Sequence, residues 1–353
     1  MPVTVAAVVV VVVVGAIVLV SRSPSPTPVG RQASKRSVNG SAPPTTAAPS
    51  VSTAVCPLTG TPAPGGVVPA RPALAVKIGN NPAARPQSGL SKADVVFEVP
   101  IEGAITRLIA VYQCQGAPVV GPVRSTRWID VQLLEQLRHP IFGFAGGINP
   151  DQALVASSPL FDANYFDHYG LYHRSAARYA PNNLYVATSS LWALDHSTTP
   201  PPPLFRYSTS APSGASVSTV ASADLGYSGI LEVTWEWQAS SGRWLRFYGS
   251  TPADGASGAQ LSAANVVIER VNTVPGPYVE DSEGAYGVHS ITVGRGAATV
   301  LRNGVAISGF WERSSITQVT RLVTASGKTI ELTPGNTRVE LVSNAASVSL
   351  TPG

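Results

Sequence analysis

The apolar pattern begins with an unbroken run. Positions 3–20 (VTVAAVVVVVVVGAIVLV) carry no charge and one polar side chain, Thr4. Eighteen residues at helical rise span roughly 27 Å, close to the ~30 Å hydrocarbon core of a bilayer. A cleaved signal peptide needs a basic leading region and a shorter apolar core. A lipoprotein start needs a cysteine just after the run, where Ser21–Arg22–Ser23 stands instead. The expectation is an uncleaved transmembrane helix over 1–20. Residues 21–54 are Ser, Pro, Thr, Ala and Gly with a few basic side chains. Such a stretch cannot bury enough apolar surface to offset chain entropy, which predicts a disordered linker.

Beyond it the pattern becomes short and interrupted. ALAVKI (73–78), DVVFEV (94–99) and ITRLIAVY (105–112) read as strands, parted by turn clusters. RWIDVQLLEQLR (127–138) reads as a helix with Trp128, Val131, Leu134 and Leu137 on one stripe, stopped by His139–Pro140. IFGFAGGI then predicts a strand entering a glycine loop. This interleaving predicts a mixed α/β domain over 55–200. PPPP (200–203) and the Ser/Thr/Ala stretch after it predict an interdomain linker over 201–224. From 225 to 353 only short strands recur, with an Asn303–Gly304 hairpin turn and no long amphipathic helix. That half reads as a mainly antiparallel β domain, a sandwich or small barrel. The fold class is α+β.

Charge changes the picture less than its total suggests. The chain has 353 residues, 12% of them charged, and a formal net charge of +4. Residues 1–54 hold Arg22, Arg31, Lys35 and Arg36 and no acid, whereas the rest holds 20 basic and 20 acidic residues. The ordered part therefore has no overall footprint for a polyanion, and nucleic acid is not an expected partner. The positive charges follow the apolar run, which by the positive-inside rule would keep the bulk of the chain in the cytoplasm. The cysteines oppose that orientation. Cys56 and Cys114 are the only two, in no metal or redox spacing. Two independent buried thiols are one reading. A disulfide stapling the Pro-rich entry segment to the core suits an extracytoplasmic compartment, and the expected location is a single-pass membrane protein with its bulk outside.

Several linear stretches carry a family signal. KIGNNPAARPQSGLSKADVVFE, EGAITR, GPVRSTR, Gly146–Gly147 and R-x3-R-x2-PNNLY (174–185) closely resemble the YerB-like family, bacterial envelope proteins built on a domain of unknown function. NVVIERV, VGRGAATVLRNGVAISGFWER and IELTPGNTRVEL resemble that family's C-terminal domain. The resemblance covers about 72–350. It departs at Gly79, where the family commonly has Asp, at Asn182, where it commonly has His, and at the missing lipobox cysteine. It implies location and fold and brings no established activity.

Past residue 54, Arg occurs 17 times and Lys 3 times. Arg107, Arg124, Arg127, Arg174 and Arg178 form one candidate constellation, with Ser125 and Asn183 beside them. Arginine grips carboxylates and phosphates bidentately, and a helix starting after Gly121–Pro122 would add backbone N–H groups near Arg124 and Ser125. The competing reading pairs these arginines with Glu98, Glu102, Asp130 and Asp162 in structural networks. Glu98 and Glu102 could alternatively act as a hydrolytic carboxylate pair, though Pro100 between them makes a shared strand face unsafe. In FDANYFDHYGLYH (161–173), Asp162, Asp167, His168 and His173 match no standard metal spacing, while the aromatics could stack on sugar rings. No GxSxG, P-loop or dinucleotide fingerprint is present. No cofactor or metal is expected. The leading expectation is a non-enzymatic binder of an anionic or glycan envelope component; the alternatives are a carboxylate-dependent hydrolase of cell-wall glycan and a scaffold for envelope proteins.

Overall fold

The computed structural model describes residues 54–353. The expected membrane helix over 1–20 and all but the last residue of the expected linker over 21–54 lie outside the described residues. Among the described residues no helix is long and apolar enough to cross a membrane.

The first half runs β1 (Leu74–Gly79), β2 (Val95–Pro100), β3 (Thr106–Tyr112), α1 (Trp128–Leu134), β4 (Ile141–Phe144), α2 (Asn149–Ser157), β5 (Phe161–Asn164), β6 (Tyr172–Arg174), β7 (Leu184–Val186) and α3 (Thr188–Trp192). The second half is all strand: β8 (Val217–Ser228), β9 (Leu231–Gln238), β10 (Arg243–Tyr248), β11 (Thr251–Pro252), β12 (Ser262–Ala263), β13 (Asn265–Val279), β14 (Tyr286–Ile291), β15 (Gly294–Arg302), β16 (Val305–Arg313), β17 (Arg321–Val323), β18 (Thr337–Ser343) and β19 (Ser347–Pro352). The structure is mostly β with few helices.

One ladder links both halves. β5, β4 and β1 pair in parallel, β1 and β2 flank β3 antiparallel, and β2 then pairs in parallel with β18. β18 pairs in parallel with β13, which leads through antiparallel β15 to β16. The second half is thus not purely antiparallel: β18 lies between two parallel neighbours, one from each half. β1–β3 are buried on both faces, which is why they read as near-continuous apolar runs. Ala75, Phe97 and Ile109 face a core shared with Val267, Val339 and Leu341 of the second half. Val76, Val96 and Ala110, one residue out of phase, face a second core.

The expected linker over 201–224 packs against the folded chain, and the described residues group into one compact unit. Leu204 is buried, the Tyr207 hydroxyl donates to the Leu58 carbonyl at 2.6 Å, and residues from Val217 onward already belong to β8. Pro, Ser and Thr gave this stretch a linker's composition, but Leu204, Phe205 and Tyr207 dock it onto the core. The predicted helix is also shorter. α1 ends at Leu134, passes through a 3-10 turn (Glu135–Leu137), and stops at Arg138 with φ 73°. The Asn303–Gly304 turn forms as read, with both residues left-handed between β15 and β16. Cys56 and Cys114 form a disulfide, their Cα atoms 6.0 Å apart.

Candidate functional site

The chain from Gly121 to Arg127 wedges between the diverging carboxyl ends of β1 and β4. The Arg124 N–H donates to the Lys77 carbonyl at 3.0 Å, and the Arg124 carbonyl accepts the Ala145 N–H at 3.0 Å. Gly79 N–H reaches the Pro122 carbonyl and Thr126 N–H the Gly146 carbonyl. β1 pairs in parallel with β4 on one side and antiparallel with β3 on the other, and the wedge lies at the carboxyl ends of the parallel pair, outside which open α/β sheets place ligands.

These bonds fix the backbone ahead of the helix. The backbone N–H groups of residues 124, 126 and 127 are spent: the first two on carbonyls, the third on the Asp130 carboxylate at 2.8 Å. Arg124 and Ser125 precede the helix, whose first residue is Trp128.

The five arginines divide into two groups. Arg107 and Arg127 are buried and committed. Arg127 donates Nε and Nη2 to the two oxygens of Glu102, with Nε 2.9 Å from Oε2, and lies 3.0 Å from Glu280 Oε2. Arg107 sits 3.6 Å from Glu102 and donates to the Ser125 carbonyl at 2.9 Å, holding the wedge from behind. Burial alone would raise Glu102, but the Arg127 hydrogen bond and the charges of Arg127 and Arg107 bring it below the usual carboxylate range. Burial, reinforced by the Arg127 charge, pushes Arg107 down to about 9.

The second group lies at the rim. Arg124 is half-buried, and among the described residues its guanidinium makes no hydrogen bond or ion pair; its Nε is buried without a partner. Burial and the neighbouring Arg127 lower its pKa, so an incoming anion would relieve an unfavourable charge. Its stem passes over Gly79: a Cβ there would lie 3.0 Å from Arg124 Cγ and 3.1 Å from Ala84 Cβ. Arg178 reaches the same loop from the other side, donating to the carbonyls of Ala84 and Pro86 at 2.8 Å each. Arg174 is exposed, donates to Asn183 Oδ1 at 2.8 Å, and lies 5.4 Å from the Tyr165 ring centroid. Leu184 pairs with Arg174 and also accepts the Val123 N–H, so positions 123 and 174 stand two strand spacings apart, roughly 10 Å.

Glu98 and Glu102 are not brought together. Glu98 is 1% exposed and accepts from Asn80 Nδ2, Thr106 Oγ1 and Arg246 Nη2 at 2.9, 2.6 and 2.6 Å, whereas Glu102 belongs to Arg127. Asp130 pairs with the fully buried Lys77. Asp162 caps its own turn through the Asn164 N–H, and His173 stacks on Tyr185.

Some participants went unread in the sequence. Asp151, in the first turn of α2, meets Glu280 from the β13–β14 connection; burial and the Glu280 charge raise its pKa. Asn164 Oδ1 accepts the Gly146 N–H at 3.0 Å and fixes the loop after β4, where Gly146 takes φ 64° and the Phe166 ring fills the space of a Cβ. Lys77 had a signal, a lysine inside an apolar strand, which demands a buried acid. Glu280, in a polar turn, had none.

Comparison with known proteins fits this frame. The profile described as the N-terminal domain of a protein of unknown function (DUF3048) matches residues 58–199, and that of the DUF3048 C-terminal domain matches 223–339. "Putative lipoprotein YerB" from Bacillus subtilis (strain 168) is 28% identical over 312 residues, 84% of this chain and 88% of the relative. The crystal structure of the Bacillus subtilis YerB protein superposes with a TM-score of 0.72 at 25% identity, covering 84% of this chain and 99% of that one.

Proposed function

Because the chain belongs to the YerB-like family, with both of its domains of unknown function in order, we propose that it is a membrane-anchored, extracytoplasmic envelope protein that binds an anionic or glycan wall component without turning it over. The description of its Bacillus relative as a lipoprotein and the apolar run 3–20 support the location. One observation carries the binding reading. Arg124 stands at the carboxyl ends of parallel strands with no partner among the described residues, while Arg107 and Arg127 are neutralised behind it. Arg174 and Tyr165 offer a second cation and an aromatic face at the same rim.

The hydrolase reading draws no comparable support, since Glu98 and Glu102 occupy separate ion networks. The test incubates the full chain, in mild detergent, with isolated bacterial cell wall beside Arg124→Ala and Arg124→Lys. Retention should fall at least tenfold in Arg124→Ala and less in Arg124→Lys, with no new soluble fragments by mass spectrometry. Unchanged retention in Arg124→Ala would sink the site, and released fragments would replace binding with hydrolysis.

A further inference from the structure

A groove of about 750 Å³ opens between the 100–106 turn, the 226–229 turn, the β13–β14 hairpin and the 343–347 connection. Its volume lies in the range of ligand clefts, and both halves of the chain line it. We propose that it takes a neutral oligosaccharide. The proposal is independent of the Arg124 rim.

Charge is the first argument. Glu102 is the only Asp, Glu, Lys, Arg or His among the lining residues, and both its oxygens accept from Arg127. The groove therefore offers an anion no cation and a cation no free carboxylate. Hydrogen bonding is the second. Ser228 Oγ is committed, donating to the Ala104 carbonyl at 2.7 Å and accepting the Ile230 and Leu231 N–H groups, so the free capacity lies elsewhere on the wall. Thr273 and Ser343 hydroxyls lie 2.9 Å apart, so one of their two protons remains to be donated. The Ser347 hydroxyl has no hydrogen-bond partner among the described residues. Hydroxyls that both give and accept match the donor–acceptor pairs of sugar hydroxyls.

Shape is the third argument. Tyr286, 58% exposed, lines the groove and offers a ring face with a polar tip. Three of the walls are turns or strand ends, which present no continuous ladder to which a peptide could add as a strand. The chemistry favours a saccharide over an extended peptide.

Calorimetric titration of the full chain in mild detergent tests this with cellotetraose, N-acetylchitotetraose and a blocked Ala-Ser-Ala-Ser peptide. At least one saccharide should bind saturably. Ala345→Trp, which fills the groove from an exposed position, and Tyr286→Ala should each weaken binding at least tenfold with the melting temperature unchanged. Arg321→Ala, an exposed side chain off the groove, should leave saccharide affinity within twofold, and wall retention judges the rim separately, so the two readings fail independently. The proposal is overturned if neither saccharide binds, if binding survives both groove variants, if Arg321→Ala weakens it as much as they do, or if only the peptide binds.

Discussion

Arg246→Met tests what joins the two halves. Glu98 and Glu340 are register partners on parallel strands β2 and β18, and both are 1% exposed. Arg246 bridges them, with Nη2 2.6 Å from Glu98 and Nη1 3.2 Å from Glu340. Burial, together with the Glu98 charge, raises the Glu340 pKa even with the arginine present. Neighbouring strands lie about 5 Å apart, and two unit charges at that distance repel by roughly 3 kcal/mol at an effective dielectric of about 20. Breaking a buried ion pair from one side costs about 3–5 kcal/mol by measurement on other proteins. The two figures describe one effect, so the expected loss is ~3–5 kcal/mol near pH 8. At 2–4 °C per kcal/mol for a chain of this order, the melting temperature should drop by roughly 10 °C. Urea unfolding reads the loss through tryptophan fluorescence, since Trp235 Nε1 donates to Glu340 at 3.1 Å. The sign with pH follows from the carboxyl. Removing the cation raises Glu340 further, so the variant holds a proton that its unfolded chain releases, and its deficit should shrink toward pH 5. Arg246→Met with Glu340→Gln should recover part of the loss. A deficit under about 1 kcal/mol, or one constant from pH 5 to 8, would refute the reasoning.

Three further outcomes follow from other buried groups. Burial raises Asp94 from 3.8 to about 6, only partly offset by the N–H groups of Gln113 and Cys114 at 2.6 and 3.1 Å. Its stabilising contribution is therefore full below pH 4 and lost as pH climbs to 6, about 3 kcal/mol in all; Asp94→Asn should flatten urea-derived stability across that window, and an unchanged slope would count against it. Replacing both Cys56 and Cys114 by Ser removes a crosslink spanning 58 residues, worth roughly 4 kcal/mol by loop closure, and should lower the urea midpoint; an unmoved midpoint would show that the entry segment is held by packing alone. Lys77→Met strands the buried Asp130, which should cost about 3 kcal/mol in the same unfolding assay. Because Lys77 also offers its carbonyl to Arg124 N–H, wall retention measured at a temperature where the variant stays folded should be kept; its loss there would give Lys77 a role at the rim.

What the sequence disclosed and what it withheld divide along a physical line. Strands β1–β3, the helix at 128 and the Asn303–Gly304 hairpin were legible because each is announced by local periodicity or a turn residue with one backbone solution. The seam between β2 and β18 was not, because a parallel pairing across some 240 residues leaves no local mark. That seam also misdirected the site. Glu98 reads as a candidate acid only while its partners are unknown; Arg246 and Glu340, far off in sequence, turn it into the anchor of a buried network. The arginine cluster shows the same effect in reverse. Spacing along the chain placed Arg107, Arg124 and Arg127 near one another but could not say which already held an acid. Glu280, from a turn in the second half, completes the neutralisation of Arg127 and leaves Arg124 without a partner among the described residues. A free charge is a property of the whole ion network, so the candidate arginine is found by subtracting the paired ones.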